Sequence, residues 1–292
     1  MSFAGTHTAL VTPFKNGAFD REAFESLIES QIAGGVEGIV PVGTTGESPT
    51  LSHEEHSQVI QTAIECAKGR CRVIAGTGSN STAEAISLTR GAEKLGADAA
   101  LLVAPYYNKP SQEGLYRHYR AIAGAVGIPI ILYSIPGRCG IEIAVETVAR
   151  LATDCTNIVG IKEAGGSVER VSQLQQALPA DFEILSGDDS LTLPFLSAGG
   201  VGVISVASNL LPRQISALVR AWRQGRVEEA VEVHRHHYRL FKDLFIEPNP
   251  VPIKFALSLK NGMSGEVRLP LCEMSARNQE KLRATLTALK IL

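Results

Sequence analysis

The sequence predicts an α/β protein, a (β/α)8 TIM barrel with a C-terminal helical appendage. Three observations carry this prediction: short apolar runs recur along the chain, amphipathic segments separate them, and the C-terminal part contains no strand-like run. Strand and helix signals that alternate in this way are typical of a parallel sheet wrapped by helices. A chain of 292 residues fits one barrel with additions, since such barrels usually have about 250 residues.

Eight runs have strand character, and eight strands close a barrel of this type. Each run is short and dominated by aliphatic residues, and turn-forming residues separate the runs from the segments between them. The runs cover residues 6–11, 38–42, 72–76, 99–103, 128–133, 158–162, 183–186 and 201–205.

The intervening segments have helical periodicity. Between residues 20 and 34 the apolar residues lie on one stripe, made by Phe24, Leu27, Ile28 and Ile32. Ser52 with Glu55, and Ser81 with Glu84, have the spacing of a capping box, in which the two side chains bind backbone N–H groups of the first turn. Each of these helices is therefore expected to begin just after the loop that follows a strand.

From Val227 onward the sequence predicts helices and no further strand. The segment EPNPVP at residues 247–252 interrupts them, because proline has no N–H to continue a helix. We predict a catalytic barrel at residues 1–226 and a helical region at residues 227–292.

Composition narrows the class of protein. With 45% hydrophobic and 20% charged residues, the chain has the proportions of a globular protein with a large core. A net charge of −2 without runs of like charge disfavours nucleic acid and membranes as partners and favours a small molecule.

The N-terminal segment lacks the pattern of a signal peptide, so we expect a cytoplasmic protein. Five scattered cysteines predict reduced thiols with packing roles.

Lys162 is the lysine that closes an apolar run, NIVGIK. A lysine that points into a barrel near the end of a strand is partly desolvated, which lowers its pKa and favours the neutral amine. A neutral amine attacks a ketone to form a Schiff base, and the adjacent carbon then becomes an enamine nucleophile. The alternative is a lysine that reaches the barrel rim or pairs with Glu163.

Other groups lie at neighbouring strand ends, where barrel enzymes carry their chemistry. Tyr133 ends the fifth run and could exchange protons with the Lys162 amine, or it could only pack. Arg138, in the following loop, could hold a carboxylate in bidentate fashion, or it could simply face solvent. Thr44 and Thr45 in the motif GTTGE could relay protons or donate backbone N–H groups to an oxyanion, or they could only shape a turn.

Competing site patterns are weaker. The glycines at residues 76–78 lack the third glycine of a dinucleotide-binding loop. Three histidines stand on the predicted helix beyond the barrel and are interpreted as a solvated face: His234, His236 and His237. Asp188 and Asp189 have no partner at matching spacing, so we interpret them as turn or pocket carboxylates. No metal site is expected.

Four motifs in this order, GTTGE, PYYN, YxxPxRxG and GIKEA, resemble those of the class I pyruvate-dependent aldolases of the dihydrodipicolinate synthase and N-acetylneuraminate lyase family. The similarity extends over almost the whole chain. It implies that Lys162 binds pyruvate as an imine, without a cofactor. It also implies a proton relay of Tyr133, Thr45 and a tyrosine borrowed from the adjacent subunit, a position that Tyr107 matches. Thr44 matches the first threonine of the relay pair.

The resemblance extends to the substrates. Gly187 and Ile204 match positions that line the pyruvate pocket. Arg138 matches the residue that holds the carboxylate of L-aspartate 4-semialdehyde in the synthases of the family, and sugar-acid lyases usually lack it. The implied reaction joins pyruvate to that aldehyde in a homotetramer built from dimers. A retro-aldolase that acts on a 2-keto sugar acid is the alternative enzyme, and a catalytically silent barrel that binds a small acid is the alternative outside enzymes.

A second group of residues resembles a regulatory lysine site at the dimer interface of the feedback-inhibited synthases. Its members are Ser48, His53, His56, Asn80, Glu84 and Tyr106. The resemblance implies inhibition by L-lysine. The alternative is a purely structural role, in which Glu84 is the capping-box partner of Ser81. Pro49 departs from the small residue expected beside Ser48.

Overall fold

Eight parallel strands form a closed barrel in the computed structural model, which describes residues 2–292. Each strand pairs with its neighbours in sequence, and β1 closes the barrel against β8. The strands are β1 (Gly5–Ala9), β2 (Gly38–Val40), β3 (Arg72–Gly76), β4 (Ala99–Val103), β5 (Ile130–Ser134), β6 (Ile158–Glu163), β7 (Glu183–Ser186) and β8 (Gly202–Ser205). The predicted fold class and all eight predicted strands are confirmed.

Prolines account for two of the small differences in strand bounds. β2 ends before Pro41 and β5 begins after Pro129, although both prolines lie inside the predicted runs. Proline cannot donate to a strand ladder, so it falls at the edge of pairing. A hairpin of Phe14–Lys15 with Ala18–Phe19 was not predicted. Its Asn-Gly turn, with φ of 54° and 79° at residues 16 and 17, was a local signal for it.

Twelve helices are formed by the described residues. They are α1 (Arg21–Ala33), α2 (His53–Ala67), α3 (Thr82–Leu95), α4 (Gln112–Ala123), α5 (Pro136–Cys139), α6 (Val145–Asp154), α7 (Val168–Ala177), α8 (Thr192–Ser197), α9 (Pro212–Arg223), α10 (Val227–Asp243), α11 (Val251–Asn261) and α12 (Ala276–Ala288). Within residues 2–292, none of them has the length and apolar character needed to cross a bilayer.

The predicted helix caps are borne out in part. The capping box of Ser52 and Glu55 is present at the start of α2. Ser81 caps α3 by accepting from the backbone of Glu84. The Glu84 carboxylate does not complete that box, because it accepts from His53 and Ser79 instead. The contact with His53 on α2 therefore competes with the cap for the Glu84 side chain.

The helices after Val227 pack on the barrel. α10 lies against α9 and α12. Leu240 and Leu282 belong to the same buried apolar cluster as Leu10 and Ile39 of the barrel. Residues on both sides of Val227 share this apolar core. The division into two regions at residue 227 stays a prediction. All five cysteines are free, and three of them are buried.

A buried ion pair connects the C-terminal helices to the GTTGE loop. The Lys254 ammonium on α11 lies 2.5 Å from a Glu47 carboxylate oxygen, and neither side chain is accessible to more than a trace of solvent. Lys254 also donates to the carbonyl of Glu266 at 2.7 Å. The backbone N–H of Arg268 donates to the other Glu47 oxygen at 3.0 Å. The loop that carries Thr44 and Thr45 is thus fixed from outside the barrel.

Breaking this pair on one side should destabilise the protein strongly. Lys254→Met leaves the Glu47 carboxylate buried without a counter-ion, so we expect the free energy of unfolding to fall by about 3–5 kcal/mol. Adding Glu47→Gln removes the uncompensated charge and should recover most of that loss. Denaturant unfolding followed by circular dichroism measures both changes.

Arg117→Met is the matched control, because it removes a cation from an exposed pair with Glu113 in which the arginine is 77% exposed. We expect a change of about 0.5 kcal/mol or less. Equal losses for Lys254→Met and Arg117→Met would contradict the role given to burial.

Candidate active site

Lys162 and Tyr133 lie side by side inside the barrel. They are register partners on β6 and β5, and residues opposite each other on adjacent strands point to the same face. The Lys162 Nζ atom lies 4.2 Å from the centre of the Tyr133 ring. Lys162 is only 6% exposed, so its amine is enclosed by the barrel interior.

The environment of Lys162 favours the neutral amine. Burial lowers its pKa to about 7, the Arg138 guanidinium acts in the same direction, and the Asp189 carboxylate opposes both. Glu163, the next residue, is on the opposite face of β6 and its carboxylate accepts from Arg170 at 2.7 Å. The alternative in which Lys162 pairs with Glu163 is therefore wrong.

Gly187 makes room for the Lys162 side chain. A Cβ atom at residue 187 would lie 3.1 Å from Lys162 Cε and 2.6 Å from Ala164 Cβ, closer than side chains pack. Only glycine lets the chain after β7 approach the lysine in this way. Ile204 is fully buried on β8, in the same interior cluster as Tyr133. Their place in a pyruvate pocket stays a prediction.

Tyr133 keeps its proton at neutral pH. Burial raises its pKa to about 12, and the nearby Thr44 hydroxyl and Arg138 guanidinium oppose that rise. A protonated phenol beside a neutral amine can donate and then recover a proton. The hydroxyl that interacts with Tyr133 belongs to Thr44, whereas the resemblance gave that relay position to Thr45.

Thr45 and Arg138 share a partner that sequence reasoning missed. Thr45 is buried, and its hydroxyl oxygen accepts from the Asn249 side-chain amide at 3.0 Å. Arg138 is exposed, and its guanidinium donates to the Asn249 backbone carbonyl at 3.2 Å. The segment EPNPVP was interpreted only as a break between helices, and an asparagine between two prolines carries no local signal of such a contact.

Asp189 is a buried carboxylate close to Lys162. Its oxygens accept from the Ser205 hydroxyl at 2.5 Å and from the backbone N–H groups of Val206 and Ala207 at 3.0 and 2.9 Å. Burial raises its pKa to about 6, although these hydrogen bonds lower it. Asp188 caps the turn that follows β7. The interpretation of both as turn or pocket carboxylates is confirmed.

One cavity of about 440 Å³ lies between the neighbours of Lys162 and the set that resembles a regulatory site. Its wall includes Thr44, Tyr133 and Arg138 at one side, but neither Lys162 nor Thr45. The residues of the second set that line it are Ser48, His53, His56, Glu84 and Tyr106. Asn80 is not in the wall, and its side chain donates to the Tyr106 carbonyl at 3.2 Å. The two sets predicted from the sequence are therefore neighbours.

Glu84 is the anionic centre of the second set. Its carboxylate accepts from the His53 ring at 2.9 Å and from the Ser79 hydroxyl, and these contacts lower its pKa. His56 is buried, its ring donates to the Gly76 carbonyl at 3.0 Å, and burial lowers its pKa. This part of the cavity presents a carboxylate and a neutral imidazole, which suits a ligand with an ammonium group.

Tyr107 stands apart from its own site. Its side chain is 90% exposed, and its backbone has φ of 71°. This left-handed conformation is rare for an aromatic residue. Tyr107 does not line the cavity formed by residues 2–292. The ring is therefore accessible to a second molecule.

The histidines of α10 are not together on a solvated face. His236 is exposed, whereas His237 is buried, stacks on Phe241 and donates to the Val233 carbonyl at 2.8 Å. The predicted solvated face is thus wrong for His237. Within residues 2–292 no cluster of three histidine, cysteine or acidic side chains has the geometry for a metal ion.

Comparison with known proteins places these residues in a family. The family model described as the dihydrodipicolinate synthetase family matches residues 2–289. A 4-hydroxy-tetrahydrodipicolinate synthase of Endomicrobium trichonymphae is 53% identical over 284 residues, which are 97% of each chain.

Solved structures agree with this relationship. The 4-hydroxy-tetrahydrodipicolinate synthase from Methylacidiphilum fumariolicum SolV is 59% identical, with a TM-score of 0.98 over 99% of this chain and 96% of that one. A synthase from Cyanidioschyzon merolae, solved with lysine bound, is 44% identical, with a TM-score of 0.96 over 99% of each chain.

The shifted pKa of Lys162 can be measured directly. Competitive acylation with acetic anhydride, followed by peptide mass spectrometry across a pH series, should give this amine a midpoint of about 7, against about 10.4 for a lysine in a model peptide. Acylation should fall below that midpoint, because protonation removes the lone pair. Asp189→Asn should lower the midpoint further, since the carboxylate raises the pKa of the lysine. A midpoint near the model-peptide value would refute the desolvated amine.

Proposed function

The chain belongs to the dihydrodipicolinate synthetase family, and on that premise we propose that it is a lyase that condenses pyruvate with L-aspartate 4-semialdehyde in lysine biosynthesis. One observation carries the proposal: a buried lysine with a pKa of about 7 lies against a protonated tyrosine inside the barrel. An amine of this kind is a nucleophile toward a ketone at neutral pH. A synthase of Acinetobacter baumannii, 45% identical to this chain, was solved in complex with pyruvate.

The reaction proceeds through an imine. The Lys162 amine attacks the keto carbon of pyruvate, and loss of one water gives the imine. The methyl group then loses a proton to form the enamine, whose carbon attacks the aldehyde carbon of the second substrate while the new alkoxide takes up a proton. Finally the amine of that substrate attacks the imine carbon, which closes the ring and releases Lys162. The imine is the electron sink, so we propose that no cofactor takes part.

Tyr133 and Thr44 supply the proton route. The phenol lies beside the Lys162 amine and the Thr44 hydroxyl lies beside the phenol, so protons can move between the amine and the cavity. Thr45, Gly187 and Ile204 surround the pyruvate end. Arg138 at the mouth holds the carboxylate of the aldehyde substrate, for which a planar guanidinium is suited.

Tyr107 completes the relay of a neighbouring subunit. We propose a tetramer built from dimers, because an exposed tyrosine on a strained backbone beside the cavity mouth suits an exchange of side chains across an interface. Assembly varies among relatives: a monomeric synthase variant, 44% identical, has the same fold with a TM-score of 0.97.

Trapping the imine tests the chemistry. Borohydride reduction in the presence of pyruvate should leave a carboxyethyl group on Lys162, found by peptide mass spectrometry. Lys162→Arg should abolish the adduct, while Lys109→Arg, which changes an exposed lysine, should leave it intact. Enzyme with pyruvate should then consume L-aspartate 4-semialdehyde. No adduct would refute the aldolase, and consumption of only sugar-derived aldehydes would instead establish a sugar-acid lyase.

Inhibition by L-lysine is the finer part of the proposal. The Glu84 carboxylate faces the cavity next to His53, Ser48 and Tyr106, and it suits the ammonium of an amino acid. Pro49 has no N–H, so this turn offers one backbone donor fewer than a small residue would. The bound lysine would share a cavity with Tyr133 and Arg138, which gives it a short route to the reaction.

Calorimetry tests this site. L-lysine should bind at or below millimolar concentration and reduce turnover. Glu84→Gln should weaken binding by about tenfold or more, because a charge-assisted hydrogen bond contributes about 1.5–3 kcal/mol. Glu54→Gln is the control, since Glu54 is an exposed carboxylate in the first turn of α2, next to His53, and does not line the cavity. Absence of binding at several millimolar would contradict the regulatory site.

A further inference from the structure

Asn249 joins two groups that the proposed reaction uses separately. Its side-chain amide donates to the Thr45 hydroxyl oxygen at 3.0 Å, and its backbone carbonyl accepts from the Arg138 guanidinium at 3.2 Å. It is only 5% exposed. A buried residue whose side chain binds a hydroxyl and whose carbonyl binds a guanidinium does more than connect two helices.

The amide fixes which way the Thr45 proton points. An amide NH₂ group donates and does not accept, so the Thr45 oxygen is the acceptor in this contact. Within residues 2–292 the Thr45 hydroxyl donates to no protein atom, although the residue is buried. Its proton is therefore free for a substrate oxygen at the Lys162 end of the site.

The opposite orientation of the amide is less favourable. In the observed orientation the Asn249 Oδ1 atom is buried and has no partner in the described chain. If the amide were reversed, the NH₂ group would lose its partner, and unpaired buried N–H groups are rarer than unpaired carbonyl oxygens. The reversed amide would also take the Thr45 proton for itself.

Anchors on both sides hold Asn249 in place. The Glu247 carboxylate accepts from the backbone N–H and hydroxyl of Ser275 at 3.0 and 2.8 Å. On the other side, Lys254 makes the buried pair with Glu47. The segment is thus tied to α12 and to the GTTGE loop, so the amide reaches Thr45 from a fixed backbone.

We propose that Asn249 is a positioning residue of the condensation, which makes Thr45 a hydrogen-bond donor toward the substrate and holds Arg138 by its carbonyl. The inference rests on the proposed function. It predicts two separable effects, because the side chain acts on Thr45 and the backbone acts on Arg138. A substitution at residue 249 changes the first contact and leaves the second.

Asn249→Ala tests this separation in steady-state kinetics. Loss of the amide frees the Thr45 hydroxyl to turn without removing it, so kcat should fall roughly tenfold to a hundredfold, less than the effect of deleting a positioned hydrogen-bond donor outright. The KM for the aldehyde should stay within about threefold, because the backbone carbonyl still binds Arg138. Asn157→Ala is the control: its amide also makes two hydrogen bonds, to the carbonyls of Ala123 and Val126, but at the far end of the barrel, and its kcat should be unchanged.

Asn249→Asp provides a readout that a purely structural role would not move. A carboxylate can only accept, so it captures the Thr45 proton, whereas the protonated acid can donate as the amide does. The ratio of variant kcat to wild-type kcat should therefore rise about tenfold as the pH falls through the titration of the new carboxyl group, whose pKa burial raises and the Arg138 guanidinium lowers. A ratio independent of pH would overturn the proposal, and this isosteric variant serves even if Asn249→Ala fails to fold.

A double-mutant cycle with Thr45→Val shows whether Asn249 acts through Thr45. If it does, Asn249→Ala should lower kcat by less than about twofold once the hydroxyl is gone, since the two changes remove one interaction. Independent effects that multiply would overturn the proposal. Wild-type enzyme that forms no imine with pyruvate would refute the proposed function itself, whereas active wild type with unaffected Asn249 variants would refute only this inference.

Discussion

The register of three parallel strands is the constraint on which the site depends. β6 pairs with β5 and β7 so that Lys162 lies opposite Tyr133 on one side and Leu185 on the other. A shift of one residue would turn every side chain of β6 to the other face. Glu163 would then point into the barrel and Lys162 toward α7, where Arg170 stands. The strand pairing thus sets the reactivity of the amine, because it determines that the Lys162 side chain is buried and desolvated, which lowers its pKa.

Residues of the C-terminal helical region hold the GTTGE loop of the barrel in place. Strand ends bring Thr44, Thr45 and Lys162 to one edge, but the GTTGE loop takes its position from partners beyond the eighth strand. Lys254 neutralises Glu47, and Asn249 binds Thr45. Both contacts lie in a region that a domain division by sequence sets apart from the chemistry. The helical region therefore belongs to the active site, since it fixes the loop at the two residues that flank Gly46.

Sequence predicted those features that local pattern or strand order determines. The eight runs revealed the barrel, and the position of Lys162 and Tyr133 at the ends of successive runs put them side by side. Asn249 was missed because its contact spans 204 residues and nothing near it in sequence records the partner. Glu84 was ambiguous for the converse reason: its local spacing fits a cap, and only the fold brings His53 close enough to take the carboxylate. Strand order can be predicted from sequence. The contacts that loops make depend on which distant segment of the chain packs against them in the folded protein.

Charge balance explains why Asp189 and Arg138 flank the lysine. Before reaction the amine must be neutral, and burial achieves this by bringing its pKa to about 7. The same burial raises the Asp189 pKa to about 6, so at neutral pH the carboxylate is the charged member of the pair. On the proposed mechanism the imine nitrogen becomes a cation, which neutralises that carboxylate in an interior of low dielectric constant. The protonated imine is therefore stabilised by the Asp189 carboxylate beside it, and Arg138, at the exposed mouth, has donors left for the carboxylate of the second substrate.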